Sequence, residues 1–474
     1  MSLTFGTDGW RAVIADGFTF ARLRRAVRAY AQHLRAAGGG LVLVAHDTRF
    51  GGPMFQRVVA EVLRNEGLEV RLAAEALPTP ALSFAVRSLG AVGGVMLTAS
   101  HNPGTYHGVK IKEAYGGTAT DATYGDVAAR AQRLDDESDA PADRSGFEGF
   151  DVREAYFAHL ATILDLDALR GWRGHVVHDA MHGVAAGWIA GFAAWADLPW
   201  RFDALRPEPD PMFGGGAPEP MPSTLTRLRD AMVGADPRLS IGVATDGDGD
   251  RLAVVPAGGA PFTAHAVFAL LLDHLDRRAE PGSVVKTVTV SRLVERLARA
   301  RGRSVSETPV GFKYLVEAIL TGDVLLAGEE SGGYGVRGHV PERDGILNAL
   351  LMVETLAHAG CGLPERLTAL ETEAGWRHAY QRADLALADA ATMARVTEAL
   401  EHAPDDFAGE RVTSVERRDG VKLNVGDDRW VMFRASGTEP VLRVYAEGPD
   451  DDAVRGLLSA ARALVDRTLQ PTSR

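Results

Sequence analysis

Runs of apolar residues of strand length alternate along this chain with amphipathic runs of helix length, and this alternation restricts the fold most. The run 41–47 has the composition of a buried strand, and the segment 53–67 after it has apolar residues at helical spacing. Pro53 and Gly67 stand where such a helix begins and ends. The same order recurs over 68–98, 175–196 and 284–328. Repeated β and α segments of this kind predict α/β layers with mostly parallel sheets.

The last hundred residues follow a different pattern. Residues 410–447 form strand-like runs joined by turns, and 451–469 has the apolar spacing of one long helix. This pattern predicts a smaller α+β domain at the C-terminal end. The acidic stretch 135–146 is a predicted linker, whereas 206–223 is either a linker or a long functional loop. At roughly 150 residues per domain, the length alone suggests about three domains.

Charge and composition exclude several classes of function. The chain has 474 residues, with 51 basic and 63 acidic side chains and a net charge of −12. No block of basic residues offers a nucleic-acid surface, so nucleic acid is not an expected partner. No apolar run approaches the ~18 residues that a membrane span needs, and the N-terminal residues lack signal-peptide features. The single cysteine, Cys361, excludes an intramolecular disulfide. We therefore expect a cytoplasmic protein without a membrane partner.

Glycine is over-represented and clustered. The chain has 52 glycines in 474 residues, about 11% against a usual ~7%. The glycines gather in short clusters beside Asp, Ser and Arg, and glycine allows a backbone to approach a ligand closely. A loop-rich architecture would also produce such an excess, so the neighbouring residues decide what each cluster does.

The most informative cluster is 245–251 (TDGDGDR), directly after an apolar run. Asp246, Asp248 and Asp250 place three carboxylates within five residues, and their repulsion favours a bound cation. Hard oxygen ligands suit Mg²⁺, Mn²⁺ or Ca²⁺. An EF-hand is excluded because its twelfth position would be Ala257 instead of Glu. A solvated Asp-Gly turn is the alternative interpretation.

A second cluster, 98–112 (TASHNPGTYHGVKIK), places Ser100 beside His101 on a turning loop. The G-x-S-x-G context of an acyl-transfer serine is missing. A serine close to a carboxylate-bound metal suits phosphoryl transfer, to which Lys110 and Lys112 could add positive charge. Read alone, a Ser-His pair is also typical of a cap or a turn.

Four further segments are weaker when each is read alone. The segments 6–11 (GTDGWR) and 434–443 (RASGTEPVLR) combine small residues, hydroxyls and an arginine, which suits a phosphate cradle or an ordinary turn. The segment 328–338 matches a dinucleotide fingerprint only as a letter pattern, because it opens no clear helix. Its Glu329 and Ser331 are better suited to bind sugar hydroxyls. The segment 178–182 (HDAMH) mimics a zinc helix, but we expect a strand end there.

Taken together and in this order, FGTDGWR, TASHNP, DGDGDR, GEESGG and RxSGTEP resemble the loops of the α-D-phosphohexomutase family. The resemblance spans residue 5 to about 447. It implies four domains around a central cleft: three related α/β domains and a smaller α+β domain. This number replaces the three domains that the length alone suggested. The implied domains are residues 1–145, 150–256, 257–370 and 375–474.

The resemblance also implies a mechanism. Ser100 would carry a phosphate and exchange it with a hexose monophosphate through an enzyme-bound 1,6-bisphosphate, with glucose 1,6-bisphosphate as activator. One Mg²⁺ would be bound by Ser100, Asp246, Asp248 and Asp250. The catalytic residues would be Ser100, His101, Lys110 and Arg11. Of these, Lys110 and Arg11 are the candidates for proton transfer. The implied substrate-binding residues are Arg251, Lys286, Gly311, Glu329, Ser331, Arg434, Ser436, Gly437 and Thr438.

Departures from the family pattern bear on the sugar. Dual-specificity members typically have a sugar loop like GEMSGH and phosphoglucosamine mutases one like GEQSGH, whereas this chain has Glu330 and Gly333. With Trp10 and Ala12 in the N-terminal loop, these departures favour glucose. A phosphomannomutase or phosphoglucosamine mutase with the same mechanism is the alternative. A metal-dependent phosphomonoesterase or a non-catalytic sugar-phosphate sensor is a more distant one, and either a monomer or a dimer is compatible with the sequence.

Overall fold

A computed structural model describes residues 3–6, 8–136, 146–402, 404–435 and 441–469. The chain divides into two compact units. The first comprises residues up to Gly282 together with Gly311–Arg366, and the second comprises Ser283–Val310 together with Leu367 and the residues after it. Both units combine sheets with helices, so the predicted α/β class is confirmed.

The first sheet has six strands in the order β1-β5-β4-β2-β3-β6. Its strands are β1 (Trp10–Val13), β2 (Leu41–His46), β3 (Glu69–Ala73), β4 (Gly93–Leu97), β5 (Tyr106–Glu113) and β6 (Glu148–Phe150). The helices of this region are α1 (Phe20–Ala36), α2 (Gly52–Asn65), α3 (Thr79–Ser88) and α4 (Asp121–Ala131). β2 pairs in parallel with β3 and β4, and β5 runs antiparallel to β1 and β4. The sheet is therefore mixed.

The elements predicted over 41–98 form within a few residues of their expected bounds. β2 is an almost continuous apolar run, as expected for a strand covered on both faces, and all its residues except the first are buried. Strand β5 was not predicted, since Lys110 and Lys112 interrupt its apolar pattern although both side chains are fully buried. The two lysines lie on the strand that follows the Ser100 loop, from which Lys110 reaches the aspartate cluster and Lys112 pairs with Glu342.

The second sheet has the order β10-β9-β7-β8, with three parallel strands and an antiparallel edge strand. Its strands are β7 (His175–Asp179), β8 (Arg201–Leu205), β9 (Ser240–Thr245) and β10 (Leu252–Pro256). The helices are α5 (Arg153–Ala161), α6 (Leu166–Gly171), α7 (Trp188–Trp195) and α8 (Thr226–Met232), with a short 3-10 turn at Phe213–Gly215.

Two expectations concern the segment after β7. The strand ends at Asp179 and a turn follows, so the HDAMH segment is a strand end as predicted and carries no zinc helix. The helix expected at 184–196 begins only at Trp188. Residues 184–187 form turns instead, and Gly187 caps the helix with a φ of 75°, a left-handed conformation that favours glycine.

Residues 264–374 contribute to both units. The elements are α9 (Ala264–Arg277), β11 (Ser283–Thr287), α10 (Arg292–Ala300), β12 (Val305–Thr308), α11 (Phe312–Thr321), β13 (Val324–Gly328), β14 (Tyr334–Val336), α12 (Gly345–Ala359) and α13 (Leu363–Ala374). β11 and β12 pair in parallel in the second unit, and β13 and β14 pair antiparallel in the first.

Among the described helices, none alone is long and apolar enough to cross a membrane. Only α12 and α13, taken together as a bent pair, meet the required length and composition.

The C-terminal region is an antiparallel sheet in the order β15-β20-β19-β18-β17-β16. The elements are β15 (Ala379–Ala386), α14 (Ala390–Glu401), β16 (Asp406–Phe407), β17 (Glu410–Glu416), β18 (Val421–Val425), β19 (Arg429–Ala435), β20 (Val441–Gly448) and α15 (Asp451–Leu469). One core joins helix α15 to the sheet through Leu457, Ala461, Val431 and Val444. The predicted α+β arrangement is confirmed.

Candidate active site

Loops at the ends of two strands build the site in the first unit. The Ser100 loop follows β4, and the loop with the three aspartates follows β9. Ligands of α/β proteins bind at such carboxyl ends of strands. The two loops touch, because Ser100 Oγ donates a hydrogen bond to Asp246 Oδ2 at 2.9 Å. The sequence separates these residues by 146 positions, and the fold brings them into contact.

Ser100 is buried and held in an unusual backbone conformation. Its φ is +52°, in the left-handed region that non-glycine residues seldom adopt. Its backbone N donates to Thr98 Oγ1 at 2.8 Å. A Cβ atom at Gly247 would lie 2.6 Å from the Ser100 carbonyl oxygen, so only glycine permits this close approach of the aspartate loop.

The three aspartates form a buried carboxylate cluster that fits a metal ion. One oxygen from each of Asp246, Asp248 and Asp250 lies within 4.8 Å of the others, and all three side chains are fully buried. Among the described residues, Asp248 Oδ1 and Asp250 Oδ1 have no hydrogen-bond partner. Burial, then Asp250 and Asp248, raise the pKa of Asp246 well above its ordinary value. Unpartnered carboxylate oxygens in this arrangement are the donor set that Mg²⁺ or Ca²⁺ accepts.

Lys110 is the nearest cation to this cluster. Its Nζ lies 2.8 Å from Asp8 Oδ2, 2.8 Å from Asp248 Oδ2 and 2.7 Å from Asp250 Oδ2. Burial opposes the charged form of Lys110, but the three carboxylates outweigh burial and raise its pKa. The three carboxylates therefore favour the charged form of Lys110, which supplies a positive charge beside the aspartate cluster.

Arg343 is the main site residue that sequence analysis missed. It is 4% exposed, it bonds Asp8, and it donates to Asp250 Oδ2 at 2.8 Å and Glu329 Oε2 at 3.3 Å. Burial disfavours the charge of Asp8, but Lys110 and Arg343 hold its pKa well below the ordinary value. Arg343 and Asp8 are 335 positions apart in sequence, and no motif around Arg343 indicates this contact.

The sugar-loop departure at Gly333 has a structural reason. A Cβ atom at Gly333 would lie 2.3 Å from Cδ of Arg343, so the arginine side chain occupies the space beside this position. The neighbouring Glu329 is buried, and this burial raises its pKa although Arg343 lowers it. Ser331 is half-buried on the same loop. The loop predicted to bind the sugar thus packs against Arg343 and is bonded to it through Glu329.

Three further predicted residues lie near Ser100 or its partner Asp246: Arg11, His101 and Arg251. Arg11 donates to Asn102 Oδ1 at 3.0 Å, and Arg251 Nε lies 4.0 Å from Asp246 Oδ2. Burial, then Arg251, Arg11 and other cations, lower the pKa of His101 well below its ordinary value, so its imidazole is neutral. A buried serine facing three carboxylates among cationic side chains is suited to phosphoryl transfer.

The remaining predicted residues lie elsewhere in the chain. Gly311 belongs to the first unit and precedes helix α11 with a φ of 135°. Lys286 and Arg434 belong to the second unit, where Lys286 donates to Glu307 Oε1 at 2.6 Å and Arg434 donates to Asp419 Oδ2 at 2.8 Å. Ser436, Gly437 and Thr438 lie outside the described residues.

Removing the charge of Arg343 tests its part in the site. The Arg343→Gln substitution in metal-free protein leaves Asp8 and Asp250 short of a buried cation, and we expect it to lower the free energy of unfolding by about 3 kcal/mol. Urea denaturation measures this loss. The control Arg337→Gln removes a partly exposed partner of Asp323 and should change the same free energy by less than about 0.5 kcal/mol. Equal losses in both variants would contradict a special role of Arg343.

Comparison with known proteins identifies the family. The chain matches four domain profiles of the phosphoglucomutase/phosphomannomutase group: alpha/beta/alpha domain I at residues 2–138, domain II at 154–259, domain III at 263–373 and the C-terminal domain at 384–464. A phosphoglucomutase/phosphomannomutase from Thermococcus kodakarensis is 28% identical over 99% of this chain and 100% of its own length. A phosphoglucosamine mutase from Frankia casuarinae is 31% identical over 98% and 99%.

Solved structures agree with the sequence relatives. A crystal structure named as a "putative phosphomannomutase" from Thermus thermophilus is 42% identical, covers 98% of this chain and 99% of its own, and superposes with a TM-score of 0.88. The chain belongs to the phosphoglucomutase/phosphomannomutase family of phosphohexomutases. It is therefore an enzyme of the mutase class, an isomerase that transfers a phosphoryl group. This result confirms the resemblance inferred from the five loop motifs.

Proposed function

We propose that this enzyme interconverts hexose 1-phosphate and hexose 6-phosphate, with Ser100 as the residue that carries the phosphoryl group. One observation supports this role most strongly: the hydrogen bond of Ser100 Oγ to Asp246 within the buried aspartate cluster. A serine hydroxyl beside a cation site is a chemically suitable acceptor for a phosphoryl group. The proposed domains remain residues 1–145, 150–256, 257–370 and 375–474.

The proposed reaction consists of two phosphoryl transfers. The free hydroxyl oxygen of a hexose monophosphate attacks phosphorus of phosphorylated Ser100, the bond from phosphorus to Ser100 Oγ breaks, and a hexose 1,6-bisphosphate forms. The attacking hydroxyl gives up its proton in this step and the released Ser100 Oγ takes one up, and the second transfer reverses this exchange. The bisphosphate then turns within the site, and its other phosphoryl group returns to Ser100 Oγ while the sugar oxygen regains a proton. The phosphoryl group is conserved, so no co-substrate is consumed, and glucose 1,6-bisphosphate would serve as activator.

The residues around Ser100 fit the charge that these transfers develop. Arg11, Lys110 and Arg343 are cationic, and each bonds or lies close to a carboxylate that fixes its position. Mg²⁺ held by Asp246, Asp248, Asp250 and an oxygen of the Ser100 phosphate would neutralise charge on the transferred group. We propose that Lys110 and Arg11 are the groups nearest to proton transfer to and from the sugar hydroxyl. His101 is neutral and would donate a hydrogen bond.

The residues that would hold the sugar and the second phosphate remain proposals as well. Glu329 and Ser331 would contact sugar hydroxyls, and Arg251 would contact phosphate. Arg434, Ser436, Gly437 and Thr438 would hold the phosphate that does not react. Lys286 and Gly311 would line the substrate cleft. A mutase needs two phosphate-binding sites, one for each end of the bisphosphate, whereas a phosphomonoesterase needs only one.

The sugar loop and the relatives point to different sugars. The departures in the sugar loop favour glucose, but the relatives favour the alternative, mannose or glucosamine. The solved relative with 42% identity bears the phosphomannomutase name, and the Frankia relative with 31% identity bears the phosphoglucosamine mutase name. We therefore propose mannose phosphate as the preferred substrate and glucosamine phosphate as the second candidate.

A direct comparison of substrates tests this order. The enzyme is incubated with Mg²⁺, a catalytic amount of glucose 1,6-bisphosphate and the 1-phosphate of mannose, glucosamine, N-acetylglucosamine or glucose in turn. Formation of each 6-phosphate is followed by ³¹P NMR, which needs no coupling enzyme. We expect the largest kcat/KM with mannose 1-phosphate. A kcat/KM for glucose 1-phosphate above the values for both mannose 1-phosphate and glucosamine 1-phosphate would contradict the proposed order of substrates. Glucose phosphate would then be the preferred substrate. Sustained release of inorganic phosphate without isomerisation would instead indicate a phosphomonoesterase.

A further inference from the structure

Arg49 holds the backbone of the Ser100 loop through several hydrogen bonds. Its Nη2 donates to the carbonyl oxygens of Ser100 and Asn102, both at 2.6 Å. Its Nη1 donates to the carbonyl oxygens of Pro103 at 2.7 Å and Tyr106 at 3.1 Å. One guanidinium therefore fixes four carbonyl groups over seven residues of chain. Only arginine has enough donors in a planar fork to do this.

A second set of bonds connects Arg49 to the backbone N of Ser100. Arg49 Nε donates to Asp47 Oδ2 at 3.1 Å, and Thr98 Oγ1 donates to the same oxygen at 2.6 Å. Thr98 Oγ1 in turn accepts from the backbone N of Ser100 at 2.8 Å. The side chains of Arg49 and Asp47 are fully buried. Ser100 is thus held at both its N–H and its carbonyl oxygen by one connected network.

This network accounts for the left-handed backbone of Ser100. A non-glycine residue with a φ of +52° keeps that conformation only when its surroundings determine it. The conformation directs the Ser100 hydroxyl towards Asp246, to which it donates at 2.9 Å. None of the Arg49 bonds goes to a side chain that would touch the sugar, so any effect of Arg49 on the reaction acts through the position of Ser100.

The loop 206–223 packs against the Arg49 guanidinium through Phe213. The Arg49 guanidinium carbon lies 4.7 Å from the ring centre of Phe213, a cation–π contact. A Cβ atom at Gly104 would lie 2.6 Å from the Cα of Met212, so this loop also packs directly on the Ser100 loop. Of the two interpretations left open by the sequence, a linker or a functional loop, these contacts favour the functional loop.

We infer that Arg49 is a positioning residue for phosphoryl transfer: it fixes the loop that carries Ser100, and Phe213 keeps its guanidinium in place. The inference rests on the proposed function of Ser100 as the phosphoryl carrier. Transfer requires the attacking and leaving oxygens to lie in line with phosphorus, and a displacement of about 1 Å costs on the order of 10²-fold in rate. Arg49 therefore sets kcat, whereas binding of the hexose phosphate does not depend on it.

The central experiment compares Arg49→Lys with wild-type enzyme. Lysine keeps the positive charge beside Asp47 but cannot bond four carbonyl oxygens. We expect kcat to fall about 10²-fold while KM stays within about threefold of wild type. The rate at which glucose 1,6-bisphosphate phosphorylates Ser100, followed by intact-protein mass spectrometry, should fall by a similar factor. The control Arg366→Lys changes another arginine that pairs with an aspartate, Asp273, away from the site and should leave kcat unchanged.

A second variant decides the question if Arg49→Lys fails to fold. Phe213→Leu removes the ring from Arg49 but keeps an apolar side chain, and we expect a roughly three- to tenfold lower kcat with unchanged KM. Wild-type kcat in either folded variant would overturn the inference, as would a loss expressed only in KM. If the wild-type enzyme neither isomerises any hexose phosphate nor accepts phosphate on Ser100, the proposed function fails, which is a different outcome.

Discussion

Replacing Ser100 by alanine is expected to abolish isomerisation, with kcat reduced by at least about 10⁴-fold. The substitution removes the only atom that accepts and returns the phosphoryl group in the proposed reaction. Fold stability should change little, because Oγ makes one hydrogen bond, to Asp246, and its loss costs about 1 kcal/mol. The ³¹P NMR assay measures turnover, and mass spectrometry should find no phosphate on the tryptic peptide that contains position 100.

A matched control separates this effect from a general one. Ser88→Ala changes a surface serine at the end of helix α3, whose Oγ bonds only a neighbouring backbone carbonyl, and it should retain wild-type turnover. Turnover of Ser100→Ala within tenfold of wild type would show that another residue carries the phosphoryl group. Full binding of hexose phosphate with no phosphorylation of wild-type Ser100 would favour a non-catalytic sensor.

The second large effect is expected at the aspartate cluster. Asp248→Asn replaces a buried carboxylate that accepts from Thr79 at 2.6 Å and lies 2.8 Å from Lys110 Nζ. We expect turnover at saturating hexose phosphate to fall about 10³-fold, because a neutral ligand weakens the cation site that stabilises phosphoryl transfer. We also expect Mg²⁺ to raise the melting temperature of the wild-type protein but not that of the variant. At a concentration of about 100 times Kd, that rise corresponds to roughly 2.7 kcal/mol.

The melting curve provides a readout that does not depend on activity. Differential scanning calorimetry is done after EDTA treatment and again with Mg²⁺ added, for wild type, Asp248→Asn and Asp273→Asn. Asp273 is also buried but pairs with Arg277 and Arg366, away from the aspartate cluster, so its variant should keep the Mg²⁺ response even if it melts earlier. A wild-type melting temperature that does not respond to Mg²⁺, Mn²⁺ or Ca²⁺ would contradict the metal site.

Much of the fold could be predicted because the buried strands are nearly uniform in composition. Strand β2 is apolar along its length, and helix α2 follows it with a regular apolar stripe. Strand β5 was missed because two of its fully buried residues are lysines, whose charges are balanced by carboxylates distant in sequence. Composition alone therefore fails where ion pairs are buried.

The site shows the same limit. The aspartate cluster and Ser100 could be predicted because each lies in a short loop with a recognisable pattern. Arg343 and Arg49 could not, since their importance comes from contacts with Asp8 and with the carbonyl oxygens of the Ser100 loop. Neither contact leaves a local pattern in the sequence. The loop motif alone also did not show why Gly333 departs from the family pattern, because the side chain of Arg343 occupies the space that a Cβ atom at this position would need.

The role of Ser100 as phosphoryl carrier is tested by following a labelled phosphoryl group from Ser100 to the sugar. Enzyme labelled with ³²P on Ser100 is mixed with an excess of unlabelled mannose 1-phosphate and Mg²⁺, and the products are separated after a single turnover. We expect label in hexose 1,6-bisphosphate and hexose 6-phosphate, with the protein phosphorylated again by unlabelled phosphate. Label that stays on the protein while 6-phosphate forms, or that appears only as inorganic phosphate, would contradict it.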